Sequence, residues 1–373
     1  MSLFGSVRRG SREVGITDAQ DPQGAVALDG SMGEGGGQIL RTALTLSLIT
    51  GRPFTVSNIR ANRTPPGLRA QHLSCVRGAQ MLGGGAGTGA QVGSRELSFE
   101  PGTPRAGDYL VEVGTAGSTP LLLQCLFFPL ALAGGGTLAL RGGTHLPHSP
   151  THHYLTFIWA PAMAAFGLRV DLELRAAGFY PEGGGELIAR VHAASEAPRR
   201  VDLPSRGTLR EVHVTSFVGG LPFHIAERQA KAAVSALREG GIHGEAEKLP
   251  LVSPRSRGST VFVRAQFEHT CAGFSAIGER GRPAEEVGRD AAAQLLEFMA
   301  SQGAIDEHLA DQILLPAALL AAGRLNGPAG TTQFTTARVT DHLTTNAEVL
   351  RRFLPVEIAV APTGEVSVSP RDR

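Results

Sequence analysis

The chain has 373 residues, which is enough for two or three domains, each with a sizeable hydrophobic core. Apolar residues make up 42% of the sequence and the formal net charge is +1, so the composition excludes both an intrinsically disordered protein and a polybasic protein that coats long nucleic acids. The sequence has no run of about 18 uncharged apolar residues, and we therefore expect no contact with a membrane.

The N-terminal residues, 1–24, contain arginines but lack the apolar segment of a secretory signal peptide. We interpret them as a disordered leader. The three cysteines, Cys75, Cys125 and Cys271, are far apart, odd in number and form no CxxC pair. This spacing favours a protein of the reducing cytoplasm with free thiols.

Three segments with the same order of predicted helices and strands follow the leader. Their first helices are predicted from Leu40, Pro120 and Leu309, and each is followed by a strand, a second helix and a pair of strands. This order predicts an α/β (α+β) fold with three βαβαββ repeats, whose sheets pack around shared helices.

A further segment interrupts this rhythm with its own strands and with one amphipathic helix, HIAERQAKAAVSALREG. We interpret it as a smaller inserted α/β domain, and we assign the next helix, PAEEVGRDAAAQLLEFMAS, to the third repeat. The predicted domains are core repeats one and two at residues 25–196, the inserted domain at 197–276 and core repeat three at 277–373.

The segment LDGSMGEGGGQILR, residues 28–41, is predicted to run from a strand through a glycine turn into a helix. Exposed amides at a helix start favour anions, but the segment matches neither GxGxxG nor a P-loop. Glu34 would repel a phosphate unless a divalent cation lay between them. Glu34 is therefore a candidate metal ligand, and the alternative is an acidic residue that stabilises the helix N-terminus.

Three arginines, Arg60, Arg63 and Arg69, surround a rigid Pro-Pro-Gly in RANRTPPGLRAQH, residues 60–72. A guanidinium group can bind two phosphate oxygens at once, so this loop indicates phosphate recognition. The alternative is a solvated basic face.

Four histidines are crowded into HLPHSPTHHY, residues 145–154. Their spacing matches neither HExxH nor a C2H2 half-site, and no cysteine or acidic residue lies close by. We therefore expect a proline-containing loop with surface histidines rather than a zinc site.

The segment DEHLADQ begins a long apolar helix. Asp306 can cap that helix, and His308, Asp311 and Gln312 share one helix face because they are three and four residues apart. A neutral imidazole held by a neighbouring acceptor is a competent nucleophile near pH 7. The alternative is a first-turn histidine at the solvent boundary.

Six motifs in this order resemble the RNA 3'-terminal phosphate cyclase family: LDGSMGEGGGQILRTAL, IRANRTPPGLRAQHL, VGTAGSTPLLLQ, GFYPEGGGEL, GRPAEEVG and EHLADQILLPAAL. The similarity extends from about Ala25 to Val368. It implies three βαβαββ repeats with a smaller inserted domain, and an ATP-dependent cytoplasmic enzyme that converts an RNA 3'-phosphate to a 2',3'-cyclic phosphodiester. It also implies a covalent AMP on a histidine, at the position of His308, with release of pyrophosphate and then AMP.

The resemblance also implies the residues of the site. It assigns ATP contacts to Gln124, Pro150, Tyr154, Pro283, Ala284, Glu285, Glu286 and Val287. It assigns the phosphates and the RNA end to Arg41, Arg60, Arg63, Gln71 and His72. It matches Glu34 to the family's metal-binding glutamate, which would hold Mg²⁺ or Mn²⁺.

Two other functions are compatible with parts of the pattern. Enolpyruvyl transferases also have βαβαββ repeats and arginine-lined anion sites, but they give no reason for a nucleophilic histidine in HLADQ. A noncatalytic RNA-binding or ribosome-assembly protein is the other alternative, although that branch of the cyclase family lacks the histidine. The histidine-rich segment at 145–154 departs from the family pattern beside Pro150 and Tyr154.

Overall fold

The computed structural model describes residues 24–371. The predicted leader therefore lies outside the described residues, apart from Gly24. The predicted fold class is confirmed: three βαβαββ repeats and an additional α/β unit are present, each with a four-stranded sheet. Over residues 24–371, no helix combines the length and the apolar character needed to cross a bilayer.

The first repeat forms one sheet with two helices. Its elements are β1 (Val26–Asp29), α1 (Gln38–Thr50), β2 (Phe54–Ser57), α2 (Ala70–Gly83), β3 (Ala86–Thr88) and β4 (Leu97–Glu100). The strand order is β1-β2-β4-β3, with β1 and β2 parallel and the other neighbours antiparallel. Helix α1 ends at Gly51, whose φ of 72° is a left-handed conformation that glycine adopts without strain.

The second repeat has the same topology, with strand order β5-β6-β8-β7. Its second helix is a continuous helical segment with a π-helical middle. The elements are β5 (Tyr109–Glu112), α3 (Thr119–Leu132), β6 (Gly136–Gly142), α4 (His152–Tyr154), the π-helical stretch (Leu155–Trp159), α5 (Ala160–Ala165), β7 (Val170–Ala176) and β8 (Gly185–Val191).

The third repeat is divided by the insert. Its first strand is β9 (Asp202–Leu203). The insert follows with β10 (Leu209–Gly219), α6 (His224–Glu239), β11 (Glu245–Pro250), β12 (Gly258–Phe267), β13 (Cys271–Ile277) and α7 (Ala284–Ala300). The repeat then resumes with α8 (Glu307–Ala321), β14 (Thr332–Thr335), α9 (Asp341–Phe353), β15 (Val356–Val360) and β16 (Glu365–Pro370).

Strand pairing and packing suggest new limits for the inserted domain. Strand β9 lies parallel to β14, with Asp202 opposite Gln333, so a strand of the third sheet precedes the insert. Helix α7 packs on the sheet of β10–β13, and its residues Val287 and Leu295 lie in the hydrophobic core of that sheet. We propose that the insert spans residues 204–301, rather than 197–276, because these contacts bind α7 to the insert.

The first helices of the repeats form the shared core. Helix α3 is apolar on all sides and almost wholly buried, as is typical of a helix surrounded by other elements. Helix α8 is similarly buried from Ile313 to Ala321. Both helices begin at polar N-caps: the Ser118 hydroxyl accepts from the amide of Leu121, and Asp306 caps α8. These caps fix where the two helices begin, and both beginnings face the candidate site.

Candidate active site

A cavity of about 910 Å³ lies where the beginnings of several helices meet. Residues from the first two turns of α1, α2, α3, α8 and α9 line it, and strand β13 of the insert forms another wall. A helix N-terminus presents unpaired amides and the positive end of the helix dipole. The convergence of these N-termini therefore favours an anionic ligand such as a polyphosphate.

Glu34 lies at this cavity, in the glycine turn between β1 and α1. Its Oε2 accepts a hydrogen bond from Nη2 of Arg63 at 2.6 Å and lies 3.3 Å from Nε2 of His342. In residues 24–371, no group of three His, Cys, Asp or Glu side chains could hold a metal ion by itself. Glu34 fits a metal site in which substrate phosphates and water supply the other ligands, an arrangement that Mg²⁺ commonly adopts.

The ring of His342 is held by a chain of hydrogen bonds that joins the third repeat to the first. Nε2 of Gln38 donates to Oδ1 of Asp311, which also accepts from Nδ2 of Asn346 at 3.0 Å. These bonds fix the orientation of the Gln38 amide, whose Oε1 lies 2.7 Å from Nδ1 of His342. Nδ1 therefore donates to Gln38, and Nε2 faces the Glu34 carboxylate, so both ring nitrogens of His342 are directed at oxygen acceptors.

One end of the cavity carries four arginines, Arg41, Arg60, Arg63 and Arg69. Nη1 of Arg60 donates to the carbonyls of Pro65 and Gly67 at 2.9 and 3.1 Å, so this side chain also braces the Pro-Pro-Gly loop. Burial, followed by the charges of the neighbouring arginines, lowers the pKa of Arg60. A bound anion would relieve this repulsion between like charges.

His72 lies beneath the glycine turn and is 6% exposed. Its Nδ1 accepts from the backbone amide of Arg69 at 3.1 Å, so the proton of the neutral ring is on Nε2, beside Gly37. Burial, and then the charges of Arg41, Arg60 and Arg69, lower the pKa of His72 to about 3. His72 is therefore neutral at physiological pH and can donate a hydrogen bond but not act as a cation.

Asp306 joins the start of α8 to the second repeat. It is fully buried, and its Oδ1 accepts from the Tyr154 hydroxyl at 2.9 Å and from the amides of His308 and Leu309. Burial raises the pKa of Asp306, and burial together with the Asp306 charge raises that of Tyr154. The His308 side chain is exposed on the cavity wall, and its ring makes no hydrogen bond within residues 24–371.

Most of the predicted site residues line this one cavity. Nε2 of Gln124 donates to Oε1 of Gln312 at 2.8 Å, and the Gln71 side chain accepts from the amide of Ser118. The predicted residues that meet here are Glu34, Arg41, Arg60, Arg63, Gln71, His72, Gln124, Pro150, Tyr154 and His308.

Five of the predicted nucleotide contacts lie elsewhere. Pro283, Ala284, Glu285, Glu286 and Val287 form the start of α7 in the insert and do not line the cavity. The Glu285 carboxylate accepts two hydrogen bonds from Arg228 of α6, and Val287 is buried in the core of the insert. Glu285 and Val287 therefore contact the rest of the insert, whereas Pro283 and Glu286 are exposed.

The expectation of surface histidines in HLPHSPTHHY is wrong for three of the four. His145, His152 and His153 are buried, and His148 alone of these four is exposed. Nε2 of His145 lies 3.1 Å from Nδ1 of His153, whose ring stacks on Phe217 of the insert with centroids 3.8 Å apart. Helix α4 begins within this segment and packs against the insert, so the imidazole rings fill an interface instead of facing solvent.

His342 and Gln38 also line the cavity, although the sequence analysis did not name them. A signal was present, because the second helices of the three repeats begin with QHL, HHY and DHL. The first turn of each of these helices therefore contains a histidine. These are His72 in α2, His152 and His153 in α4, and His342 in α9. Equivalent positions in repeats around a shared core lie near one another, so His72 pointed to His342.

Comparisons with known proteins identify the family of this chain. A family described as RTC: RNA 3'-terminal phosphate cyclase matches residues 32–360. An RNA 3'-terminal phosphate cyclase of Methylococcus capsulatus is 42% identical over 353 residues, covering 91% of this chain and 95% of the relative. Another, from Ralstonia nicotianae, is 41% identical over 349 residues, with 93% and 96% covered. The chain belongs to the RNA 3'-terminal phosphate cyclase family.

Proposed function

We propose that this enzyme uses ATP to convert the 3'-phosphate end of an RNA to a 2',3'-cyclic phosphodiester, with release of pyrophosphate and AMP. The observation that carries the proposal is the exposed ring of His308 at the capped start of α8, in a cavity that is also lined by Arg41, Arg60, Arg63 and Arg69. A neutral imidazole is a competent nucleophile near neutral pH. Family membership favours this reaction over enolpyruvyl transfer and over a noncatalytic role.

The cavity suits a nucleoside triphosphate in size and charge. Its volume of about 910 Å³ lies in the range of sites for small ligands. We place the phosphates at the arginines and the adenine base beside Gln124, Pro150 and Tyr154. Mg²⁺ or Mn²⁺ bound to Glu34 and to the phosphates would stabilise negative charge that develops on the phosphate oxygens.

The geometry supports His308, the predicted acceptor of AMP, over His342, the other candidate histidine of the cavity. His308 lies in the first turn of α8, its ring is exposed on the cavity wall, and no described residue engages the ring nitrogens. Nδ1 of His342 faces the Gln38 oxygen and its Nε2 faces the Glu34 carboxylate, so neither nitrogen is free to attack. We therefore propose His308 as the nucleophile and give His342 the role of orienting Glu34.

The first chemical step forms a bond between nitrogen and phosphorus. A ring nitrogen of His308 attacks the α-phosphorus of ATP, and the bond from that phosphorus to the bridging oxygen breaks as pyrophosphate leaves. The attacking nitrogen uses its lone pair, and the other ring nitrogen keeps its proton while positive charge develops on the ring. The arginines and the Nε2–H of His72 offset charge on the phosphate oxygens.

Two further steps transfer the adenylyl group and close the ring. An oxygen of the RNA 3'-phosphate, bound by the arginines of the 60–72 loop, attacks the AMP phosphorus and displaces His308, which leaves an RNA-phosphate-AMP anhydride. The neighbouring 2'-oxygen then attacks the RNA phosphorus, loses its proton and displaces AMP. This nucleophile is on the same ribose, so proximity lowers the barrier, and the need for a 2'-hydroxyl selects RNA.

We place the enzyme in the reducing cytoplasm. Its three cysteines, Cys75, Cys125 and Cys271, are all free, and the first two are buried. Free thiols persist where the glutathione and thioredoxin systems keep them reduced.

An RNA with a radiolabelled 3'-phosphate tests the overall reaction. We expect ATP to convert the label from a phosphatase-sensitive to a phosphatase-resistant form, with one AMP formed for each end that is cyclised. An otherwise identical RNA with a 2'-deoxy terminal nucleotide should stop at the anhydride and accumulate it. A label that stays sensitive to phosphatase with ATP and either divalent cation would overturn the proposal.

A further inference from the structure

The loop between β7 and β8 carries an exposed aromatic side chain that the proposed chemistry does not use. Of the chain's three tyrosines, Tyr109 donates its hydroxyl to the carbonyl of Arg105, and Tyr154 donates to Asp306. Tyr180 is 72% exposed. Its hydroxyl makes no hydrogen bond to any residue that the structure describes.

Tyr180 is exposed but firmly placed, because its neighbour Phe179 anchors the loop. Phe179 is 2% exposed, its ring stacks on that of His145 with centroids 5.3 Å apart, and its amide donates to the Ser256 hydroxyl at 2.9 Å. The Phe179 ring also packs so closely on Gly258 of β12 that a Cβ atom at residue 258 would collide with it. A side chain presented from so fixed a backbone loses little conformational freedom when a ligand stacks on it.

Two arginines stand on the adjoining loop between β11 and β12. Arg255 and Arg257 are exposed, and neither forms an ion pair with another described residue. The alkyl chain of Arg255 lies against Gly184, at the end of the Tyr180 loop, so closely that a Cβ at Gly184 would meet it at 2.7 Å. The aromatic ring and the cations therefore belong to one continuous surface.

This surface adjoins the wall of the active-site cavity. A Cβ on Gly183 would lie 2.9 Å from Cα of Ala116, so the Tyr180 loop rests directly on the segment before α3. Two residues further on, Ser118 lines the cavity, and its amide donates to the side chain of Gln71. Gln71 follows the arginine loop to which we assign the RNA 3'-phosphate.

We propose that Tyr180, Arg255 and Arg257 bind the RNA strand just upstream of its 3' end, with Tyr180 stacked on a base and the arginines on phosphates. This inference rests on the proposed function and extends its substrate site. An aromatic platform beside guanidinium groups is typical of single-stranded RNA recognition, and stacking tolerates any base. Pro181, the exposed Glu182 and two glycines follow Tyr180 in the loop, whereas a protein partner would require a larger apolar patch.

Substrate length provides the test. We expect Tyr180→Ala to raise KM for a long 3'-phosphorylated oligoribonucleotide roughly 5- to 100-fold, the range of base–aromatic stacking. KM for a ribonucleoside 3'-phosphate and the rate of self-adenylylation should not change. Tyr180→Phe should keep the wild-type KM because the phenyl ring still stacks. Arg255→Ala should reduce the salt dependence of oligonucleotide binding by about one unit of slope.

Arg200→Ala is the matched control, since Arg200 is an exposed arginine on the segment before β9, and it should leave every parameter unchanged. Equal losses on the long and the short substrate, or an unchanged KM for the long one in Tyr180→Ala, would overturn the inference while the cyclase assignment stands. A wild-type enzyme that cyclises neither substrate would instead overturn the proposed function, and this inference with it.

Discussion

The side chains of Asp311 and Gln38 hold the ring of His342 beside Glu34. Asp311 accepts from the Gln38 amide, and the Gln38 oxygen then faces Nδ1 of the histidine. Burial raises the pKa of Asp311, which the charges of His342 and Arg41 oppose. A neutral amide placed between the carboxylate and the imidazole orients the ring without pairing it directly with a buried charge.

The lowered pKa of His72 leads to a prediction about the pH dependence of the cyclisation rate. Its pKa is lowered to about 3, so its ring is neutral in the folded enzyme throughout the range in which the enzyme can be assayed. His72→Gln, which can still donate a hydrogen bond, should lower the cyclisation rate without changing the shape of the pH–rate profile. If an inflection near pH 6.5 present in the wild type disappears in the variant, His72 titrates and the neutral-donor role is incorrect.

The proposed role of Glu34 as a metal ligand leads to a prediction about the Mg²⁺ concentration that the enzyme requires. Glu34→Gln keeps the size of the side chain but removes the charge that would bind a divalent cation. We expect self-adenylylation to need a higher Mg²⁺ concentration for half-maximal rate, and Asp341→Asn, at an exposed acidic residue at the start of α9, serves as the control. Superimposable magnesium titrations of Glu34→Gln and wild type would exclude Glu34 as a metal ligand.

At the scale of single residues, the sequence predicted the groups of the arginine loop well, because Arg60, Arg63 and His72 are close together in the chain. His342 could not be placed by spacing alone, since its partner Gln38 is about three hundred residues away. The contact depends on how the third repeat packs against the first. Local patterns carry little information about such packing.

At the scale of elements, the start of α8 is held in place by one buried carboxylate, that of Asp306. Asp306 accepts from the Tyr154 hydroxyl and caps the first turn, which presents His308 and Asp311 to the cavity. Asp306→Ala should lower the free energy of unfolding by about 2–4 kcal/mol, since it removes the cap and leaves a buried hydroxyl without a partner. Urea-induced unfolding measures the loss.

Tyr154→Phe is the matched variant, because it removes one hydrogen bond to Asp306 and leaves the helix cap in place. It should cost about 1 kcal/mol. An Asp306→Ala variant as stable as Tyr154→Phe would mean that the cap contributes nothing, and the account of α8 would then be wrong.

For the helices, apolar periodicity predicted that a helix is present better than it predicted which elements that helix packs against. Helix α7 was correctly expected as a helix, but its apolar face, with Val287 and Leu295, packs on the sheet of the insert. An apolar stripe shows that a helix packs against something without specifying what. The histidines of α4 are a similar case, since composition indicated a polar loop and the structure uses their rings as packing groups.

For the molecule as a whole, the buried histidines between the second repeat and the insert predict sensitivity to acid. Burial lowers the pKa of His145 to about 3 and that of His152 to about 4, and it also lowers that of His153. In the unfolded chain these groups titrate near 6.5, so only the unfolded state takes up protons between that pH and the folded pKa values. Stability is therefore full above pH 6.5 and falls as the pH decreases below it.

We expect the free energy of unfolding to decrease by on the order of 2 kcal/mol for each such histidine between pH 7.5 and 5. His153→Phe removes one titrating group, keeps an aromatic ring against Phe217, and should flatten the curve. His148→Gln, at the exposed histidine of the same segment, should leave it unchanged. A His153→Phe curve as steep as that of the wild type would contradict this explanation of acid sensitivity.

At this scale the repeat pattern predicted the architecture, because glycine-punctuated βαβαββ units recur along the chain with the same order of elements. The convergence of helix N-termini on one cavity could not be read from the repeats individually. It arises because the repeats pack around shared helices, which brings the starts of α1, α3, α8 and α9 together.

The position of the covalent AMP tests the central claim most directly. The enzyme would be incubated with ATP and a divalent cation, digested under conditions that preserve phosphoramidates, and analysed by mass spectrometry. We predict one added AMP on the peptide that contains His308, and none in His308→Asn, whereas His342→Asn should still be labelled. AMP on His342, or no added nucleotide at all, would contradict the account.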